Sequence, residues 1–197
     1  RDELEYEIPF EEKKTSYNPK AFSGDLHYLY IRRAECCEWS GLRNLAVNPM
    51  DQHGDRGCYP HAWANVETRG EAVFAARNAI DGVTANASHG NWPYASWGIN
   101  RRDDAAFTLE FGRPVDTETI VLCTRADFPH ANWWVKADLV FSDGTREQVS
   151  MEKSSEPHRF AIKKEGITWL RLENLIKADD PSPFPALTQI EVWGKEG

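Results

Sequence analysis

The stretch that decides the fold is residues 107–123, FTLEFGRPVDTETIVLC. Its first five residues alternate, with Phe107, Leu109 and Phe111 on one side of an extended chain and Thr108 and Glu110 on the other. A period of two, with large apolar residues on one face, marks a strand that buries that face. Gly112-Arg113-Pro114 interrupts the pattern, since Gly accepts positive φ and Pro cannot donate to a sheet ladder. The reading is a turn, then a second strand through Thr119-Ile120-Val121-Leu122-Cys123.

Outward from this stretch the same period recurs. Val135, Ala137, Leu139 and Phe141 alternate and run into Ser142-Asp143-Gly144-Thr145. Asp-Gly between alternating segments predicts a hairpin, because a tight turn needs the positive φ that Gly supplies. Phe160 and Ile162, Leu170 and Leu172, and Ile190 and Val192 mark three more short strands. Leu26-His27-Tyr28-Leu29-Tyr30-Ile31 has the aromatic and branched content of another. Only the Ala-rich run Glu71 to Ile80 suits a helix, of two turns. At least seven short strands with almost no helix predict an all-β chain, an antiparallel β-sandwich of jelly-roll type. No internal repeat or low-complexity segment interrupts it.

Residues 1–24 read as an N-terminal arm ahead of a domain at 25–197. Acidic residues from Asp2 to Glu12 alternate with Leu4, Tyr6 and Ile8 until Pro9, and Asn18-Pro19 and Ser23-Gly24 mark turns. An edge strand and a loosely docked arm both fit this pattern.

Lys and Arg number 23 against 31 Asp and Glu, a formal net charge of −8. That sign is wrong for gripping a phosphate backbone and weighs against anionic membrane surfaces. No run approaches the ~20 apolar residues of a membrane helix. Neither nucleic acid nor membrane is therefore expected as a partner; the oligomeric state is left open. Eight Trp in 197 residues favour an aromatic ligand surface, Trp being rigid and amphipathic. Cys36, Cys37, Cys58 and Cys123 follow no disulfide-scaffold spacing, and the adjacent pair cannot easily bridge. Unpaired thiols and a reducing, cytoplasmic compartment are the expectation, or secretion if a leader was removed before Arg1.

The order of motifs resembles a known family. Asn44-Leu45-Ala46, Arg77-Asn78-Ala79-Ile80-Asp81-Gly82, a Trp-rich stretch, Phe107 to Gly112, Asp143-Gly144 and Ile190-Glu191-Val192-Trp193-Gly194 follow one another. This set is similar to discoidin-like (coagulation factor type C) domains and family 32 carbohydrate-binding modules, of galactose-binding-like jelly-roll fold. The match runs from Leu26 to Gly194. It implies a carbohydrate ligand and one structural calcium, held by Asp81, Asn86 and Glu191 with backbone carbonyls near Asn78 and Ile190. Calcium takes six to eight oxygens, and Asp81-Gly82 puts a carboxylate at a sharp turn. Two loops, 48–60 and 82–96, are longer than the family's pattern and would reshape the ligand-bearing end.

Sugars present apolar C–H faces ringed by hydroxyls, so a sugar site pairs a stacking ring with forked donors. Trp92, Tyr94 and Trp97 lie near His89, Asn91 and Arg101; Arg125 to Trp134 repeats the mixture. The resemblance implies sugar contacts from these loops, and the candidates are His89, Trp92, Arg101, Arg125, His130 and Trp133. Trp97 and Trp134 suit a core equally well, and Arg102 with Asp104 suits a surface ion pair. Asp51, His53, Cys58 and His61 match no closed zinc spacing. No catalytic residues are assigned: G-x-S-x-G, H-E-x-x-H, C-x-x-C and a phosphate-cradling loop are all missing. A glycan-active enzyme remains the alternative, drawing on Asp103, Asp104, Asp127 or Glu173; a protein-interaction domain is a third.

Overall fold

The computed structural model describes residues 5–26, 28, 30–54 and 57–197. Eight strands are present among them: β1 Arg43–Asn44, β2 His61–Ala64, β3 Trp97–Gly98, β4 Phe107–Thr124, β5 Trp134–Phe141, β6 Arg146–Ser150, β7 His158–Lys177 and β8 Ala186–Glu196. All pair antiparallel, in the order β1-β8-β4-β7-β5-β6, with β2 on β4 and β3 on β8. The chain is an all-β sandwich.

The organising feature is the β4–β7 pair. The expected turn at Gly112-Arg113-Pro114 does not end a strand; β4 runs through it as one 18-residue element. Register shifts between Glu110 and Val115, and again up to Thr119, bend the pair there. Gly112 has φ +69, and a Cβ on it would meet the Tyr59 ring at 2.3 Å, so no other residue fits the bend. The first half of β4 pairs with β2, the second with β8. Phe107, Leu109 and Phe111 from one half, and Ile120 and Leu122 from the other, are wholly buried in one cluster.

The hairpin at Asp143-Gly144 forms as expected: Gly144 has φ +82, its N–H donates to Phe141 O, and β5 pairs with β6. Trp97 and Trp134 are core, with ring centroids 6.2 Å apart. Trp134 turns inward because the β5–β7 register shifts between Trp134 and Lys136.

Two further expectations are corrected. The run Glu71 to Ile80 is not an α-helix but two 3-10 turns, Ala72–Phe74 and Ala76–Ile80, separated by extended Ala75. The Asn78 amide donates to Ala72 O and Ser96 O, taking a carbonyl an α ladder would use. Leu26, Tyr28, Tyr30 and Ile31 join no strand and lie exposed; His27 and Leu29 fall outside the described residues.

Residues 5–24 lie against the sandwich, with a 3-10 turn at Glu11–Ser16. Buried Tyr17 donates its hydroxyl to Asp51 O, and the Arg77 guanidinium stacks 3.9 Å over the Tyr17 ring. Arg77 also donates to Ser16 O, Asp51 O and Pro49 O. Among the cysteines, Cys36 and Cys37 are exposed thiols and Cys123 is a buried one.

Candidate functional site

Five segments meet at one end of the sandwich. They are residues 68–74, the 82–96 loop, the turn after β3, the segment following β4, and the Pro-rich segment leading into β8. Hydrogen bonds fix their feet: Arg125 N–H donates to Ala186 O at 3.0 Å, and Asn100 N–H to the Thr68 hydroxyl oxygen Oγ1 at 3.0 Å. A cleft of about 160 Å³ opens between them, lined by His89, Arg101, Arg125, His130 and Phe184 among others.

A chain of polar contacts organises the cleft. His89 Nδ1 lies 2.5 Å from Asp127 Oδ2, and Arg125 Nε lies 2.5 Å from Asp127 Oδ1. The Arg125–Asp127 contact is charge against charge, because the Nε–Oδ1 approach lacks hydrogen-bond angles. Arg125 Nη2 donates to Phe184 O at 2.6 Å and to His130 O at 3.1 Å. Arg125 and Asp127 side chains are 6% and 5% exposed, whereas His89 is 41% exposed. Burial pulls the Arg125 pKa down, and the Asp127 charge beside it pushes back. The guanidinium stays charged in either case.

Rings form the other wall. His89 and His130 meet edge to face at 4.7 Å, and His130 lies 6.1 Å from the Phe184 ring. Arg101 places its guanidinium carbon 4.7 Å over the Phe184 ring. Arg102 N–H donates to Ile99 O, and both residues between have positive φ, Asn100 at 48° and Arg101 at 62°. That is the pattern of a primed turn, which suits Asn at its first central position and Gly at its second. A long side chain at the second position costs roughly 1–2 kcal/mol.

Four of the six expected ligand residues, His89, Arg101, Arg125 and His130, are thus gathered in one cleft. Trp92 and Trp133 are not. Trp92 donates its backbone N–H to Thr15 O and lines a hollow beside Tyr17 and Asp81. Trp133 lies under Lys153, whose ammonium is 5.3 Å from its ring, in a separate hollow. Phe184 went unnoticed as a ring for this site, though an aromatic between Pro183 and Pro185 is a signal of a stiff, ring-bearing loop. Among the carboxylates, Asp103 pairs with Lys177, Asp104 with Arg102 and Glu173 with Arg146. Of the four, only Asp127 touches residues that line the cleft, His89 and Arg125.

The calcium ligands expected from the resemblance are engaged separately. Asp81 Oδ1 accepts the Val83 N–H, the Asn86 amide donates to Thr124 O and Ser155 O, and Glu191 accepts the Trp193 indole N–H. Gln189, two residues before Glu191, is the β8 side chain that reaches the turn, accepting the Gly82 N–H. Asp81 and Gln189 are thus the two side-chain oxygens brought together at this turn. No group of three His, Cys, Asp or Glu able to share a metal occurs among the described residues. Burial raises the Asp81 pKa to about 6. Of the residues with loose zinc spacing, Asp51 and His61 form a buried pair at 2.9 Å and His53 pairs with Glu67.

No protein-family model and no curated protein matches the chain. Solved structures do. A fucose-binding module of Streptococcus pneumoniae superposes with a TM-score of 0.54 at 12% identity, covering 79% of this chain and 97% of its own. Chitosan-binding module 1 of a Paenibacillus sp. IK-5 chitosanase/glucanase gives 0.52 at 16% identity, covering 77% and 99%. The family 32 carbohydrate-binding module of Clostridium perfringens NanJ, solved with galactose, gives 0.50 at 15% identity, covering 67% and 91%. The protein therefore has the galactose-binding-like, discoidin-like β-sandwich fold found in carbohydrate-binding modules.

Proposed function

We propose that the protein is a non-catalytic carbohydrate-binding domain and that its ligand occupies the cleft of His89, Arg125, His130 and Phe184. The observation that carries this reading is the His89–Asp127–Arg125 chain beside a half-buried ring. With Nδ1 taken up by Asp127, His89 leaves Nε2 to hydrogen-bond a sugar hydroxyl. Arg125 is held through Nη2 and against Asp127 and lines the cleft as a donor, while Phe184 supplies an apolar face for the C–H side of a pyranose. Groups pinned this way need little reorganisation on binding, which is how a small cleft gains affinity. The neighbours' ligands, galactose for one and chitosan for another, are chemically of this kind.

The test is ligand-observed NMR with a panel of mono- and oligosaccharides. Saturation transfer from wild type, lost in His89→Ala and Phe184→Ala, is the expected result. Silence across the panel would overturn the reading.

One observation favours a second reading, a glycan-active enzyme: a histidine backed by a buried carboxylate is how a general base is oriented. Against it, Asp127 has both oxygens engaged behind His89 and Arg125, and no carboxylate lines the cleft among the described residues. Glycoside cleavage by an acid–base pair needs two. New product peaks in the same NMR series over a day would establish the enzyme.

A further inference from the structure

The protein is acidic overall, yet its cleft is not. The walls carry three arginines, Arg69, Arg101 and Arg125, and two histidines, and no carboxylate lines them among the described residues. Arg69 is paired with Glu71 through two contacts, and Arg125 with Asp127. Arg101 differs: no carboxylate pairs with it among the described residues, and its guanidinium is parked on the Phe184 ring. On a chain of net charge −8, an unpaired cation at the mouth of a ligand cleft is not general surface charge.

The backbone adds an independent observation. Arg101 occupies the central turn position at φ 62° that favours glycine, directly after Asn100 at 48°. The neighbouring segment is tightly seated: a Cβ on Gly98 would meet Thr68 Oγ1 at 2.5 Å, so this turn has little room to relax. Strain retained where a simpler residue would relieve it, with the side chain laid over the cleft's Phe184 ring, points to a group kept for binding.

We infer that the cleft selects acidic saccharides, with Arg101 pairing with the ligand's carboxylate while the sugar ring lies against Phe184. This deepens the carbohydrate-binding reading and rests on it. A planar carboxylate matches the guanidinium fork, and a cation already desolvated on one face by an aromatic ring loses little more on pairing. His89 and Arg125 remain for the neutral hydroxyls, so the two recognition tasks fall to different side chains.

The experiment is calorimetric titration of the full chain with two matched pairs, galactose against galacturonate and glucose against glucuronate. It is run at ~0.01 M and ~1 M salt, where the screening length falls from ~30 to ~3 Å. At low salt the acidic member of at least one pair is expected to bind about tenfold more tightly than its neutral partner. That preference shrinks at high salt. Arg101→Gln lowers the acid's affinity about tenfold and the neutral sugar's by less than about threefold. Arg101→Gly, which relieves the turn, gives the same loss and guards against a folding artefact. Equal binding of acid and neutral sugar by wild type, or an equal loss of both in Arg101→Gln, overturns the inference and leaves the cleft a sugar site. Binding of none of the four by wild type overturns the inference, and the saccharide panel read by ligand-observed NMR then decides the carbohydrate reading separately.

Discussion

Asp127 holds His89 from beneath: its Oδ2 lies 2.5 Å from His89 Nδ1, while its other oxygen faces Arg125. The two partners differ in exposure, so their removal separates binding from stability. Asp127→Asn strips a buried guanidinium of its counter-charge, and breaking such a pair costs about 3–5 kcal/mol. His89→Phe, at a side chain 41% exposed, leaves the Asp127 carboxylate one hydrogen bond short but keeps its charge pair with Arg125, and is expected to cost less, about 1–3 kcal/mol, and to lose sugar binding. Urea denaturation and ligand titration on both variants check this.

Phe184, rather than either loop tryptophan, is the expected stacking ring. Phe184→Ala should weaken sugar binding by roughly five- to tenfold, the scale of an aromatic contact worth about 1 kcal/mol. Trp92→Ala and Trp133→Ala, in hollows of their own, should change it by less than about twofold. A tenfold loss in either tryptophan variant, read by titration, would relocate the site.

Arg101→Gly should make the fold more stable. Relief of a left-handed non-glycine residue is worth roughly 1 kcal/mol, offset in part by the greater freedom of Gly in the unfolded chain. A melting temperature raised by about 1–3 °C in calorimetry is the expected outcome. A lower one would show that Arg101 on Phe184 matters more to stability than the strain does.

Asp81 ties stability to pH. Its pKa rises from 3.8 unfolded to about 6 folded because burial disfavours the carboxylate. The folded protein then binds this proton more tightly than the unfolded chain, so the group destabilises above pH 6. That penalty is relieved as pH falls through 6 and is gone near pH 4. It amounts to roughly 3 kcal/mol. Asp81→Asn should raise stability at pH 7 and flatten this part of the pH profile, with EDTA or with calcium alike. Calcium-dependent stabilisation of wild type that vanishes in Asp81→Asn would instead establish a cation at the turn.

The sequence showed most where geometry is local. Alternation at Phe107 to Phe111 and the Asp143-Gly144 pair are complete statements about one strand and one turn, and both held. Gly112 was legible as a break but not as a bend inside a continuing strand, because that depends on β7 and β8 pairing across it and on Tyr59 filling the space beside it. Leu26 to Ile31 has strand composition, yet its described residues find no neighbouring edge, and propensity alone does not supply one. His89, Arg101, Arg125 and His130 stand out in the sequence by residue type, and the fold brings them to one cleft. Phe184 was missed because it lies 54 residues beyond His130 in the chain and meets it only through the β4–β8 pairing that brings Arg125 onto Ala186.

That Arg125–Ala186 hydrogen bond extends the sheet ladder to the floor of the cleft. Amide protons there should exchange with solvent as slowly as those of the central strands, since opening one end of a ladder requires unzipping its neighbours. The floor is therefore assembled before any ligand arrives, and association involves no ordering step for it. Capture is then governed by encounter and by the exposed side chains at the rim, so a ligand's residence time reports on those side chains rather than on the scaffold.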